Sequence, residues 1–314
     1  MRSPMLVCCG LVTLDVVQTV DALPGPDQKV VADGLDVRFG GPAANAAATA
    51  VALGVPTRLV TAVGSGPVAD LVRAGLRDAG VEVVDLARGT GATPPVSTVL
   101  VTRATGERAL ASVNGTGTPD LGAAARAAFA DGALDGATAL LVDGHHLGAA
   151  VPVAAAARAA GVPVALDGGS WKPGLGDLLA HVDHAVLSAD FRLPDGGDGG
   201  AADGGLGGGA DLLADVLDRW PVASAARSAG GGPLRYVERG GTPAEVDVAP
   251  VPAPEVVDTL GAGDVLHGAL AAALARGEPL PAALTEATRV ATLSVRHPGA
   301  LGWAAGRSRP VPPR

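Results

Sequence analysis

Short apolar runs alternate with alanine-rich helical segments along most of this chain. The runs at residues 5–12, 58–63 and 162–167 have the length and residue types of buried strands. Helical spacing of apolar residues lies between such runs, as in residues 68–79, which stop at Gly80. Alternation of strand, helix and strand favours a mostly parallel sheet with helices on both faces. We therefore expect an α/β fold with three layers.

Two further stretches contain no crossover helix. Residues 97–113 alternate their side chains about a glycine-containing turn, which is typical of a β-hairpin. Residues 15–39 are also extended in character. We predict that both stretches form a small antiparallel sheet that projects from the main domain. The segment 195–209 is rich in glycine and aspartate, has almost nothing to bury, and is predicted to be a surface loop.

Composition limits the partners of the chain. Its 314 residues suffice for one large α/β domain with a substantial core. A net charge of -9 leaves no broad basic face, so we expect no nucleic-acid partner. No apolar run reaches the roughly 18 residues that span a bilayer, so we expect no membrane partner. Cys8 and Cys9 would point to opposite faces of a strand, and they fit buried thiols in a reducing cytoplasm.

The segment 257–270 carries the clearest chemical signal. Gly261, Ala262 and Gly263 precede apolar residues at helical spacing, so they open a helix. A helix N-terminus presents free N–H groups and a positive dipole end, and small residues let a phosphate approach the backbone. We expect Asp264 to stay ionised there, because the dipole favours its charge, and to accept a hydroxyl proton. An ordinary glycine-rich N-cap, with Asp264 as a capping residue, would show the same spacing.

The stretch from Asp258 to Asp264, D-T-L-G-A-G-D, resembles the C-terminal signature of the PfkB, or ribokinase-like, family of carbohydrate kinases. The resemblance implies that Asp264 is the catalytic base and that the backbone of Gly261, Ala262 and Gly263 is the anion hole. It also implies that Asp258 helps to bind a structural monovalent cation such as K⁺. ATP and Mg²⁺ are the cofactors that the family resemblance implies.

A second block of the same family lies upstream. Gly40, Gly41 and Asn45 are similar to the family's G-G-x-x-x-N-x-A block, in which the glycines and the asparagine contact sugar hydroxyls. Asp15 is similar to the aspartate that follows the first strand and also binds the substrate. The resemblance extends over residues 5–303. Two separate motifs in the correct order make it specific.

The resemblance gives the extended stretches a role. It implies a ribokinase-like fold whose small β-sheet forms a lid over the sugar, where closure excludes water from the reaction. It also implies a homodimer that forms through the lid. The expected core comprises residues 1–13, 40–95 and 115–314, and the expected lid comprises residues 14–39 and 96–114.

The nearest branches of the family are the ketohexokinases and the sulfofructose kinases. Lys29 stands where the sulfosugar branch places a lid lysine that is able to meet a sulfonate. Asn114 and His145 are further candidates for substrate contact, although the sulfosugar branch has an arginine where His145 stands. Asp167 ends a predicted strand and could also approach the substrate. A small polar sugar, either a ketose or a sulfosugar, is therefore the favoured acceptor.

Two family motifs are altered. At the N-x-x-E motif, which is tied to the metal and its waters, Ser188 and Phe191 replace the asparagine and the glutamate. The T-x-G motif on the nucleotide side is degraded, which leaves Ser228, Gly230 and Gly231 as candidates for nucleotide contact. Mg²⁺ and nucleotide contacts are consequently less well defined than the base.

Three other functions compete with a sugar kinase. Gly64-Ser-Gly66 followed by Asp85 reproduces a dinucleotide-binding fingerprint, which would indicate an NAD-dependent oxidoreductase. A non-catalytic sugar-binding protein on the same fold is the second alternative, and the altered T-x-G motif favours it. A nucleoside kinase is the third, although Phe39 is the only aromatic residue of the lid region. Both family motifs together imply ATP-dependent phosphotransfer to a hydroxyl of a small sugar or sugar derivative, which is the function that we predict.

Overall fold

A computed structural model describes residues 3–103, 108–113, 115, 118–194 and 209–305 of the chain. The predicted surface loop 195–209 and the predicted contact Asn114 lie outside these residues, except for residue 209. The described strands are β1 Leu6–Cys9, β2 Thr13–Val20, β3 Gly34–Gly40, β4 Thr57–Thr61, β5 Glu82–Asp85, β6 Val96–Thr102, β7 Arg108–Ser112, β8 Ala139–Val142, β9 Val164–Gly168, β10 His184–Leu187, β11 Ser224–Ala229, β12 Gly232–Glu238 and β13 Ala244–Val246. The described α-helices are α1 Pro42–Ala52, α2 Pro67–Asp78, α3 Gly122–Ala130, α4 Leu147–Ala159, α5 Leu175–Leu179, α6 Gly209–Arg219, α7 Ala262–Ala275 and α8 Leu280–Ser294.

The larger sheet has nine strands in the order β13-β12-β11-β10-β9-β8-β1-β4-β5. Neighbours from β5 to β11 are parallel, whereas β12 and β13 continue the sheet antiparallel. The expectation of a mostly parallel sheet is therefore confirmed. Because the strands from β5 to β11 run in one direction, their carboxyl ends all lie along one edge of the sheet.

The smaller sheet has four strands in the order β3-β2-β6-β7. Its outer pairs are antiparallel, but its central pair, β2 with β6, is parallel, with Leu14 opposite Val96 and Val20 opposite Thr102. The prediction of a wholly antiparallel sheet is thus wrong at its centre. The reason lies in the connections, because β2 and β6 both leave the larger sheet in the same direction. A ribokinase-like fold with a small separate sheet is confirmed.

Helices cover both faces of the larger sheet and bury two separate apolar layers. The helices α1, α2, α7 and α8 pack on one face, and α3, α4, α5 and α6 pack on the other. Successive strand residues serve opposite layers, as period-two geometry requires, so Cys8 lies in the first layer and Cys9 in the second. Burial raises the pKa of both thiols, and both cysteines are free.

Two helices of the first layer, α1 and α7, approach each other closely at Gly268. A Cβ at that position would lie 2.5 Å from the carbonyl oxygen of Ala46 and 2.8 Å from Cβ of Thr49. The absence of a side chain at Gly268 therefore sets the spacing between these helices. Among the described residues, no helix combines the length and apolar character that crossing a bilayer would require.

Candidate active site

Polar residues cluster at the carboxyl edge of the larger sheet. Asp143 follows β8, Asp167 lies near the end of β9, Ser188 follows β10, and Ser228 lies near the end of β11. The helix α7 starts beside them, since Nδ1 of His267 lies 3.3 Å from Oδ2 of Asp167. Open α/β sheets bind their ligands at this edge. The candidate site is therefore built from the strand ends and the start of α7.

Asp143 connects three segments of the chain at this edge of the sheet. Its Oδ2 accepts hydrogen bonds from the backbone N–H groups of Leu11 (2.7 Å) and Ala43 (3.1 Å). Its Oδ1 accepts one from the N–H of His145 at 2.9 Å. The carboxylate also needs Gly10, because a Cβ there would lie 2.1 Å from Oδ1 of Asp143. Asp143 thus joins the end of β1, the start of α1 and the loop after β8.

The first turn of α7 holds the predicted base. Gly261, the residue before the helix, has a φ of 79°, which is a left-handed conformation that favours glycine. The first turn of a helix leaves N–H groups without intrahelical acceptors. Among the described residues, no backbone oxygen accepts from the N–H groups of Gly263 and Asp264. These groups are available to an anion.

The two predicted family blocks meet at Asp264. Nδ2 of Asn45 in α1 donates a hydrogen bond of 2.7 Å to Oδ2 of Asp264, across a sequence separation of 219 residues. The close packing of α1 on α7 at Gly268 makes this contact possible. The structure therefore brings together the candidate substrate-binding asparagine and the candidate base.

The carboxyl group of Asp264 has a raised pKa of about 7. Burial is the largest cause, and the negative charge of Asp167 is the second; Asp143 adds a smaller effect in the same direction. The hydrogen bond from Asn45 and the nearby His267 oppose the rise. The helix dipole alone therefore does not set the charge of Asp264, because desolvation and the neighbouring carboxylate raise its pKa in spite of the dipole.

A cavity of about 220 Å³ is lined by Asn45, the residue that donates to Asp264. Its lining comes from the smaller sheet, from α1, from the loop before α7 and from the C-terminal region, namely Asp15, Arg38, Phe39, Asn45, Leu260, Pro298, Ala300, Leu301 and Gly302. Asp15 and Asn45 were predicted to contact the substrate, and they share this cavity. Arg38 was not predicted, and it adds a positive charge to the lining.

The glycines of the upstream block make room for this arrangement. A Cβ at Gly40 would lie 1.9 Å from Oδ2 of Asp15, so only glycine lets that carboxylate approach the strand. Gly41 has a φ of 94° and caps α1, and a Cβ there would lie 2.6 Å from the carbonyl oxygen of Leu11. Oδ1 of Asp15 accepts a hydrogen bond from Thr13 at 2.7 Å. Gly40 therefore makes room for a lining residue of the cavity, and Gly41 lets α1 begin close to the backbone of residues 11 and 12.

The remaining candidates for substrate contact lie away from this cavity lining. Lys29 is exposed in the loop between β2 and β3 and does not line the cavity. His145 is partly buried after β8. Its neighbour His146 has a φ of 51°, and its buried Nε2 has no hydrogen-bond partner among the described residues. Burial lowers the pKa of His146, so a neutral ring with an unused nitrogen faces the loop at Gly115.

Asp258 ties two loops together near the start of α7. Its Oδ1 accepts a hydrogen bond from the N–H of Leu260 and its Oδ2 one from the N–H of Gly299, both at 2.8 Å. Nη2 of Arg38 lies 3.9 Å from the same Oδ2. Each carboxylate oxygen keeps a second lone pair, so Asp258 fits a ligand of a monovalent cation as well as a loop anchor.

Two arginines occupy the nucleotide side of the edge, where the altered motifs lie. Ser228 ends β11 beside β10, and Gly230 and Gly231 form the turn to β12. Arg227 and Arg192 both donate hydrogen bonds to the carbonyl oxygen of Ala189. Burial and the charge of Arg192 lower the pKa of Arg227. This end of the site therefore offers positive charge within and beside the altered motif.

The altered N-x-x-E motif does not supply a magnesium ligand. Phe191, at the glutamate position, is fully buried, and the hydroxyl of Ser188 donates to the carbonyl oxygen of Gly169 at 2.8 Å. The described parts of the chain contain no cluster of three histidine, cysteine or acidic side chains that could hold a metal ion. The residues present therefore do not fit a protein-held Mg²⁺, and we assign no step to one.

The structure also removes the basis of the dinucleotide fingerprint. Oδ1 of Asp85 accepts hydrogen bonds from the N–H groups of Val63, Gly64 and Ala87, and Arg73 donates to its Oδ2. Its side chain is only 2% exposed. The carboxylate that would bind a ribose in an oxidoreductase therefore already accepts hydrogen bonds from these groups.

The chain is similar to known proteins over most of its length. The family described as "pfkB family carbohydrate kinase" matches residues 3–190 and 228–303. Among solved structures, a ribokinase from Arabidopsis thaliana complexed with ribose and ATP is 22% identical, with a TM-score of 0.72 over 96% of this chain and 95% of that one. A ribokinase from Giardia lamblia is 19% identical, with a TM-score of 0.76 and 98% of both chains covered. A Cryptococcus neoformans ribokinase in complex with ADP is 22% identical, with a TM-score of 0.72 over 97% of both chains. These likenesses show the fold.

Proposed function

Because the chain belongs to the pfkB family and is therefore an ATP-dependent carbohydrate kinase, we propose that Asp264 is the base that activates the acceptor hydroxyl of its sugar. The contact between Asn45 and Asp264 carries this proposal, since the asparagine that we predict to bind the sugar donates a 2.7 Å hydrogen bond to the carboxyl group of Asp264. The pKa of about 7 also suits a base at neutral pH, because proton transfer is most efficient when the pKa lies near the operating pH.

The residues divide the work of the transfer among them. Asp15 and Asn45 orient the sugar in the cavity, and Asp264 takes the proton of the hydroxyl that attacks the terminal phosphate. The free N–H groups at Gly263 and Asp264 stabilise the charge on the migrating phosphoryl group. Mg²⁺ enters this proposal only as an ion carried on the nucleotide phosphates.

The cavity favours a small polar acceptor over a nucleoside. Its volume of about 220 Å³ suits a monosaccharide. Phe39 is its single aromatic lining residue, and a Cβ at Gly75 of α2 would lie 2.7 Å from the Phe39 ring, so the ring packs tightly on that helix. Besides Phe39 the lining includes the apolar residues Leu260, Pro298, Ala300 and Leu301, so the small volume, and not a lack of apolar surface, disfavours a nucleoside. We propose a ketose or a sulfosugar, which are the acceptors of the branches that the sequence resembles.

An anionic acceptor would meet Arg38 rather than Lys29. Arg38 lines the cavity, whereas Lys29 is exposed outside it. We expect Arg38→Gln to raise KM for a sulfonated or phosphorylated sugar by roughly tenfold, as loss of one charge-assisted hydrogen bond implies. KM for a neutral ketose should change much less. Steady-state kinetics on both substrates, with Lys29→Ala as the matched control, measure the difference; equal effects on both sugars would contradict an anion contact.

An ATP-consumption screen tests the proposed function. Ketoses, aldoses, sulfosugars and nucleosides are offered with and without K⁺, and NADH binding is measured in parallel. Sugar-dependent ADP release from the wild-type chain, absent in Asp264→Asn, is the expected result. Sugar binding without turnover in any condition would favour the non-catalytic alternative, and saturable NADH binding would favour an oxidoreductase.

The smaller sheet exposes apolar side chains that would suit a second copy of the chain. Leu35 and Val37 in β3 and Leu110 in β7 are 69%, 43% and 55% exposed. These are the two edge strands of the sheet, and an exposed edge is a template for pairing. We propose a homodimer through this sheet. Light scattering should give twice the chain mass, and Leu35→Glu with Leu110→Glu should halve it; a monomeric wild-type chain would contradict the dimer.

A further inference from the structure

His267 occupies a buried position one turn after the proposed base. It is 5% exposed, and both of its ring nitrogens face oxygen atoms. Nδ1 lies 2.7 Å from the carbonyl oxygen of Gly263 and 3.3 Å from Oδ2 of Asp167. Nε2 lies 3.2 Å from the carbonyl oxygen of Val186 in β10. The ring therefore connects the first turn of α7 to the ends of β9 and β10.

These contacts determine the protonation of the ring. Backbone carbonyl oxygens accept hydrogen bonds and cannot donate them. A neutral imidazole has one N–H group, so it would turn a lone pair toward the carbonyl oxygen of either Gly263 or Val186. Only a ring with a proton on both nitrogens donates at both positions. Both contacts of the His267 ring would thus be hydrogen bonds only in an imidazolium.

The surrounding carboxylates favour such a cation. Asp167 is 7% exposed, its negative charge raises the pKa of Asp264, and Asp143 raises the pKa of both. Burial is the main cause of the raised pKa of Asp167, and His267 opposes it. Lys172 and His145 add weaker positive effects on Asp167. Buried carboxylates gathered in this way need a paired positive charge.

We propose that His267 is a positioning residue of the phosphotransfer site, which carries a proton on both ring nitrogens, pairs with Asp167 and fixes the carbonyl of Gly263 in the turn that bears the base. The kinetic consequences of this inference rest on the proposed function, whereas the protonation of the ring does not. The hydrogen bond from His267 to the carbonyl oxygen of Gly263 keeps the neighbouring N–H groups in place for the phosphoryl group. The charges of His267 and Asp167 together set how readily Asp264 loses its proton.

Single substitutions at the two members of the pair should have opposite effects. His267→Gln keeps a hydrogen-bond donor but loses the positive charge, so the acid limb of the pH profile of kcat/KM should move up by roughly half to one pH unit. Asp167→Asn loses a negative charge beside Asp264, so the limb should move down by a similar amount. The double variant should lie between them. A merely structural role would lower kcat/KM in both variants without moving the limb in opposite directions.

His184 provides a matched control. It is a part-buried histidine in β10, where Nδ1 meets the hydroxyl of Ser224 at 2.9 Å, and burial lowers its pKa. His184→Gln should leave the acid limb unmoved. The comparison of His267→Gln with His184→Gln therefore separates the effect of the charge on His267 from the effect of removing any buried histidine.

¹⁵N NMR of histidine-labelled protein reads the protonation directly and needs no turnover. The resonances of His267, assigned by their loss in His267→Gln, should show two protonated nitrogens at neutral pH, whereas His184 should show one. An unprotonated nitrogen in His267 at neutral pH would overturn the proposal even if the chain is an active kinase. A protonated ring in a chain that phosphorylates no sugar would instead refute the proposed function alone. Limb shifts of the same sign in both variants would also overturn the proposal.

Discussion

Replacement of Asp264 by asparagine is expected to lower kcat by at least about a hundredfold while sugar binding is largely retained. Loss of a general base removes a factor of that size from the chemical step, and the asparagine still fills the space beside Asn45. The wild-type kcat/KM should rise with pH through about 7, because Asp264 must lose its proton to act as a base and its pKa is about 7. This acid limb should vanish in Asp264→Asn.

A matched control separates this effect from the loss of a helix-capping charge. Asp70 is also an acidic residue in the first turn of a helix, α2, and it is exposed away from the cavity. Asp70→Asn should leave kcat and the acid limb unchanged. Turnover by Asp264→Asn within a fewfold of wild type, with a fitted sugar KM near the wild-type value, would remove Asp264 from its role.

Replacement of Gly268 by alanine is expected to destabilise the fold by about 2–3 kcal/mol, the cost of inserting a group into a close-packed contact. The new Cβ would lie 2.5 Å from the backbone oxygen and 2.8 Å from Cα of Ala46, so α1 and α7 would have to separate. Because α1 carries Asn45 and α7 carries Asp264, kcat should fall together with stability. Urea unfolding followed by circular dichroism measures the change in the free energy of unfolding.

Gly263 in the same helix gives the control for this experiment. A Cβ there would meet no atom within 4 Å. Gly263→Ala should therefore change the free energy of unfolding by less than about 1 kcal/mol, since alanine is the better helix former. Equal losses of unfolding free energy in both variants would contradict this account, because they would show that any glycine of α7 is needed and that the contact between α1 and α7 has no special role.

The fold followed from the sequence because its signals are local. Apolar runs and helical spacing predicted the strands at residues 58–63 and 162–167, which the structure places at Thr57–Thr61 and Val164–Gly168. The pairing within the smaller sheet did not follow, since the parallel alignment of β2 with β6 depends on where the larger sheet releases each strand. Strand pairing across about 80 residues leaves no signal in the sequence of either strand.

The site was predictable where glycine and its neighbours form a motif. Gly40, Gly41 and Asn45 were predicted to contact the sugar and Asp264 to act on its hydroxyl, and the structure brings Asn45 within 2.7 Å of that carboxyl group. His267 was missed because an apolar helix face with one histidine looks like ordinary core filling. Arg38 was missed because it lies beside a motif without belonging to it. A helical wheel of 262–275 does place His267 on the side of Asp264, three residues earlier, which was the available signal.

The pKa of Asp264 is the electrostatic property that the sequence predicted least well. The helix N-terminus suggested an ionised carboxyl group, but desolvation and the charge of Asp167 depend on three-dimensional neighbours that the sequence separates by 97 positions, from 167 to 264. The helix dipole therefore predicts the direction of a pKa shift only where the titrating group remains solvated.

A ternary structure with an accepted sugar and an unreactive ATP analogue tests the role of Asp264 most directly. The acceptor hydroxyl should lie within hydrogen-bonding distance of the Asp264 carboxylate, and the terminal phosphate should contact the backbone N–H groups of Gly263 and Asp264. A hydroxyl out of reach of that carboxylate, or a phosphate bound at the Gly64–Gly66 turn instead, would contradict the assignment of the base.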